Sequence, residues 1–115
     1  PNNLAEIKQG EQWGVAFAIN NKVKEQEFSW NVEVADSRVE EKCGVDEETA
    51  KGWITTGEEG SVSIASGEKY YRVVRFNIPE GAVSDISTCI VGYQLVIKEE
   101  DDSPYETVAF DVDVQ

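Results

Sequence analysis

Apolar and polar residues alternate with a period of two along most of this chain, the pattern of strands that bury one face. The clearest case is Phe28 to Val34, where Phe28, Trp30, Val32 and Val34 share an inward face and Ser29, Asn31 and Glu33 point out. Trp13 to Ile19 places Trp13, Val15, Phe17 and Ile19 on one side and Gly14, Ala16 and Ala18 on the other. A strand with one large and one small apolar face fits the middle of a sheet, or a place where another chain lies flat. Thr88 to Ile97 is apolar at nearly every position, which predicts a central strand covered on both faces. Lys69 to Ile78 directs Val74, Phe76 and Ile78 inward, and Pro79, which has no N–H to give, ends it. Tyr105 to Val114 sets Val108, Phe110, Val112 and Val114 against Thr107, Ala109, Asp111 and Asp113.

Shorter pieces fill the gaps. Leu4 to Ile7, Trp53 to Thr56 and Ser61 to Ala65 each have strand length, and Gly57 to Gly60 reads as a turn. Asn20-Asn21-Lys22 is a turn, and Ser66-Gly67-Glu68 is a hairpin-like one. From Asp36 to Gly52 the alternation stops. There Asp46 as an N-cap, Glu47 and Glu48 in a first turn and Gly52 at the end predict one short helix near residues 46–51. The fold expected is all-β, an antiparallel β-sandwich of about seven strands with that single helix.

A chain of 115 residues makes one domain. Residues 1–12 read as a lead-in and 13–115 as the domain. The sequence contains no methionine, so it is expected to be an excised or processed piece. Ten basic against 23 acidic residues give a net charge of −13, which repels a phosphate backbone and argues against nucleic-acid binding. The charge serves solubility or suits a cation-rich surrounding.

The two cysteines, Cys43 and Cys89, have no CxxC spacing and no histidine to complete a metal site. An intramolecular disulfide, and with it an extracellular or cell-surface location, is the simplest pairing. Two buried thiols in a reducing compartment are the alternative.

The run Val74 to Ala82, then Tyr93 to Ile97, then Pro104-Tyr105 leading to Phe110 to Val114 resembles the closing half of immunoglobulin-like domains on prokaryotic cell-surface proteins, over residues 69–114. Archaeal membrane-anchored and pilin-like surface proteins are similar in joining an N-terminal apolar helix to such a domain, and that likeness implies a parent chain anchored by a helix since removed. The resemblance implies a structural or interaction role. Two departures stand against antibody-type membership. Cys43 follows the Phe28 to Val34 strand rather than lying in a core strand, and Ser87 stands where the antibody-type corner has tyrosine.

Without histidine, Ser-His-Asp and Cys-His catalysis is impossible, so no enzyme activity and no cofactor is expected. A carboxylate pair for glycoside hydrolysis remains a distant reading. The acidic run Glu99, Glu100, Asp101 and Asp102, with Asp111 and Asp113 nearby, gathers oxygen donors suited to Ca²⁺ but lacks a self-contained calcium-loop spacing. Glu99, Asp101 and Asp102 are the metal candidates. Trp53, Tyr70 and Tyr71 are candidates for stacking on a sugar ring, which makes a carbohydrate-binding module the second functional reading. Arg72 and Arg75 are expected to pair with nearby acids. The leading reading is a non-catalytic domain that binds a protein partner or itself, through Gly14, Ala16 and Ala18 and the aromatics Trp53, Tyr70 and Tyr71.

Overall fold

In a computed structural model, which describes residues 4–83 and 89–115, those residues form eight strands in two sheets and two short helices. The strands are β1 (Leu4–Ile7), β2 (Gln12–Asn20), β3 (Gln26–Val34), β4 (Ile54–Thr56), β5 (Glu59–Ile64), β6 (Lys69–Asn77), β7 (Ile90–Lys98) and β8 (Pro104–Val114). One sheet runs β1-β8-β7-β3-β5 and the other β2-β6-β4. The all-β expectation holds at that level. The count is eight rather than seven, and β1 lies parallel to β8, so the larger sheet is mixed rather than antiparallel.

The two sheets meet through the residues that the alternation turned inward. Phe76 of the smaller sheet packs edge-on against Tyr93 at 5.2 Å and Phe110 at 6.2 Å, and those two rings stack on each other at 5.5 Å. Toward the other end Trp30 lies 5.9 Å from both Phe17 and Tyr70. Ile7, Ile19, Val32, Val91, Leu95 and Val112 fill the space between. Strand β7 lies second from neither edge but in the middle of its sheet, as its apolar run predicts. Its outer face is only half covered, however, and Ile90 at its start is exposed. Thr88, placed in this strand by the sequence pattern, and Ser87 lie outside the described residues.

Strand β2 is a correction. It sits at the edge of the three-stranded sheet, not in the middle. Its large face therefore overhangs the core, so Trp13 is 48% exposed and Val15 and Phe17 are half-buried. A second correction concerns the turn at Ser66-Gly67-Glu68. Strand β5 pairs with β3 while β6 pairs with β2, so this turn carries the chain from one sheet to the other and closes no hairpin. Gly60, expected in a turn, lies within β5.

The irregular stretch holds two helices where one was expected. Helix α2 (Glu47–Gly52) starts as its sequence predicts, with the Asp46 carboxylate accepting the Thr49 N–H at 2.7 Å. The unexpected helix, α1 (Val39–Cys43), stops at Gly44, whose left-handed backbone (φ 72°) lets its N–H reach the Glu40 carbonyl. Both helices sit at one end of the sheets. The Tyr93 hydroxyl donates to the Ala50 carbonyl at 2.8 Å, and a disulfide joins Cys43 at the end of α1 to Cys89, next to the start of β7, with Cα atoms 4.9 Å apart.

Candidate interaction face

The three-stranded sheet is charged differently from the rest of the molecule. Strands β2, β4 and β6 contain Lys69, Arg72 and Arg75 and no acid, in a chain with 23 acids. Among the described residues none of these three cations forms an ion pair. Among the described residues the pairing expected for Arg72 and Arg75 is not formed, and the strands of their own sheet offer them no carboxylate. Every ion pair the described residues form uses Arg38, Lys42 or Lys98, which lie elsewhere.

Register fixes what the outer face of this sheet presents. Gly14 lies opposite Arg75, Ala16 opposite Val73, and Ala18 opposite Tyr71. All six residues are exposed, Tyr71 to 71%. The glycine has a packing reason: a Cβ there would come within 2.8 Å of Val73 Cγ1 and 3.9 Å of Arg75 Nη1, so those side chains lie across it. The sequence-predicted residues Gly14, Ala16, Ala18 and Tyr71 are thus brought together on one shallow surface with Arg75 at its end. A depression of about 380 Å³ runs over Ala16, Tyr71, Val73 and Arg75 to Thr56 and Gly57.

The other proposed aromatics do not join them. Trp53 is only 3% exposed and belongs to the core, and Tyr70 turns inward against the Trp30 ring. Trp53 follows α2 directly, and its inward position was not visible in a stretch without alternation. An aromatic platform of Trp53, Tyr70 and Tyr71 is therefore not formed.

On the far side, the outer face of the five-stranded sheet carries Glu6, Glu27, Glu33, Glu59, Asp111 and Asp113 with Lys98 as its cation. Hydrogen bonds from the Asn31 and Gln94 side chains hold the Glu33 carboxyl below the usual carboxylate range, against a small opposing effect of burial, and Lys51 and Lys98 add to the lowering. Glu33 is consequently ionised at any pH near neutral.

The acidic loop between β7 and β8 spends its oxygens on its own structure. Gln26 Nε2 donates to Glu99 Oε1 at 3.0 Å, the Glu100 N–H reaches Gln26 Oε1 at 3.1 Å, and Glu100 Oε1 accepts the Glu27 N–H at 2.9 Å. Ser103 donates to Asp101 through both its N–H and its hydroxyl, which holds that carboxyl below its ordinary range. Asp102 takes a left-handed backbone (φ 71°) and approaches Lys98 at 3.9 Å. Among the described residues no three acidic or cysteine side chains converge as a metal site would require, and this includes Glu99, Asp101 and Asp102.

Between the sheets, beneath the free edge of β2, an apolar groove of about 360 Å³ is lined by Val15, Phe17, Val74, Leu95, Val108 and Phe110. It is the direct result of β2 overhanging its partner sheet. The Tyr105 hydroxyl closes one end of that edge, donating to the Asn20 carbonyl at 2.5 Å and accepting the Lys22 N–H at 3.0 Å. No protein-family model matches this chain, and no curated protein matches it in sequence.

Proposed function

We propose that this chain is a non-catalytic extracellular interaction or structural domain, an immunoglobulin-like sandwich of a cell-surface or filament-associated protein that works through protein–protein contacts. The observation that carries the reading is the outer face of the three-stranded sheet. Its strands carry no acid, it exposes Tyr71 and Val73, and it ends in Arg75, which forms no ion pair among the described residues. Aromatic and arginine side chains are what protein interfaces concentrate: an aromatic ring buries a large rigid area at little entropic cost, and a guanidinium offers a planar fork of donors. The Cys43–Cys89 disulfide supports an oxidising home. No helix among the described residues is long and apolar enough to cross a membrane. The carbohydrate-binding alternative has less support, since of its three rings only Tyr71 is well exposed.

The test is binding by the intact domain. Retention on envelope proteins, or self-association in sedimentation, is expected for the wild type and should weaken at least tenfold when Tyr71→Ser and Arg75→Glu are combined. A protein that stays monomeric and is retained by no envelope fraction would remove the reading.

A further inference from the structure

The two outer faces of this molecule are complementary to each other, and we infer that the partner of the acid-free face is the acidic face of a second copy of the chain. This rests on the interaction reading above and names its partner. Lys69 and Arg75 stand six residues apart on β6, both on the outer face. Glu27 and Glu33 stand six residues apart on β3, both on the outer face of the opposite sheet. At about 3.3 Å per residue each pair spans about 20 Å, so β6 of one copy laid along β3 of the next sets a cation over a carboxylate at both ends. All four side chains are exposed, and none is in an ion pair among the described residues.

Between the charged ends the surfaces also fit. In that register Tyr71 comes over Ser29 and Val73 over Asn31, small or flat polar residues that leave room for them. Ser29 and Asn31 line a shallow concavity of about 260 Å³ with Glu59 and Val96, and Tyr71 is the exposed ring that would enter it. Lys98 and Asp102 at its rim already answer each other, 3.9 Å apart.

The contact joins two different faces, so each copy can take one neighbour through each face. A head-to-tail interface of this kind builds an open row or a ring of subunits, not a two-fold dimer. The net charge of −13 opposes any self-association at long range. At physiological ionic strength the screening length is about 8 Å, which suppresses that repulsion more than it weakens pairs in direct contact.

Sedimentation velocity at 0.15 M salt, at protein concentrations up to about 1 mM, reads the inference at affinities as weak as millimolar. The wild type should show a sedimentation coefficient that keeps rising with concentration past the dimer. Lys69→Glu with Arg75→Glu in one protein, and Glu27→Lys with Glu33→Lys in another, should each stay monomeric. Mixed in equal amounts they should assemble again, because each then offers the face the other lacks, and that rescue also shows that both variants are folded. A monomeric wild type, variants that assemble alone, or a mixture that does not recover would each overturn the inference. If the wild type is monomeric yet envelope retention persists and is lost in the Lys69→Glu, Arg75→Glu protein, the second copy is wrong and the interaction reading stands. If neither is seen, both fall.

Discussion

The side-chain amide of Asn21 donates to the carbonyl of Ile64 at 2.8 Å, fully buried, and through that bond two separate crossings between the sheets are held together. Asn21 follows the last residue of β2 as the chain leaves for β3. Ile64 ends β5 as the chain leaves for β6. The same amide nitrogen donates to the Lys24 carbonyl at 2.9 Å, Oδ1 accepts the Val23 N–H at 2.9 Å, and the Asn21 backbone exchanges bonds with Gly67 and Glu68. Every polar atom of the residue is used, which is the condition under which a buried amide stabilises.

Asn21→Ala would leave the Ile64 carbonyl and the Val23 N–H without these partners and is expected to cost about 2–4 kcal/mol. Asn21→Asp should be as harmful, because a carboxylate cannot donate to Ile64. Urea denaturation of the three proteins checks both; midpoints within error of the wild type would mean that the crossings are held by other contacts.

Where burial was one-sided and the strand long, the alternation was enough to read the fold. Phe28, Trp30 and Val32, and likewise Phe110, Val112 and Val114, are inward as their spacing requires. What the alternation does not contain is which strands pair. The turn at Gly67 looks the same whether it closes a hairpin or crosses between sheets, because in either case it needs a left-handed glycine (φ 81°). Asn21 reads as an ordinary turn residue for the same reason: its burial comes from Ile64, 43 positions away. Helix α1 has too few residues for periodicity, though Gly44 after the acids Glu40 and Glu41 was a local stop signal. On the acid-free outer face, the shared side of Gly14, Ala16 and Ala18 was legible from their spacing, whereas their lying beside Tyr71 and Arg75 was not, because that depends on which strands are neighbours.

The bond between Cys43 and Cys89 closes a separation of 46 residues and ties α1, in the first half of the least regular stretch, to the residue just before the strand at the centre of the larger sheet. In the chain-entropy picture such a loop contributes about 4 kcal/mol. Reduction, or replacing both cysteines with alanine, should lower stability by a large part of that amount and loosen α1 and α2 first. Hydrogen exchange before and after reduction checks the order. Thiol titration of the unfolded, unreduced protein should find no free thiol, and two free thiols would remove the staple.

Gly60 is required by a neighbour rather than by its backbone. A Cβ there would lie 2.4 Å from Trp30 Cζ2 on the paired strand. Trp30 packs against Phe17 and Tyr70, which stand in the way of its retreat, and its buried Nε1 has no hydrogen-bond partner among the described residues. Gly60→Ala should therefore cost about 1–3 kcal/mol by overpacking. A change in tryptophan fluorescence would accompany it, and an alanine variant as stable as the wild type would mean the indole has room to move.

Acid should unfold this protein partly through Asp36. Burial works against its charge, but the Lys42 ammonium at 2.6 Å and the Arg38 N–H at 2.9 Å outweigh it and hold the carboxyl below its ordinary value of 3.8. A folded-state value below the unfolded one means the unfolded chain binds the proton first. The resulting stability is fully present above about pH 4 to 5 and is lost as pH falls through the folded value. Glu33, also lowered, acts in the same direction but is exposed, so screening makes its share small. Asp36→Asn should cost about 1–2 kcal/mol at pH 7, through the weakened tie to Lys42, and should flatten the fall in stability between pH 5 and pH 2. Lys42 also reaches the Ile90 carbonyl, next to Cys89, so the loss should be felt where the disulfide meets β7. Urea midpoints measured across that pH range decide the matter, and parallel curves for the two proteins would show that Asp36 does not carry the acid sensitivity.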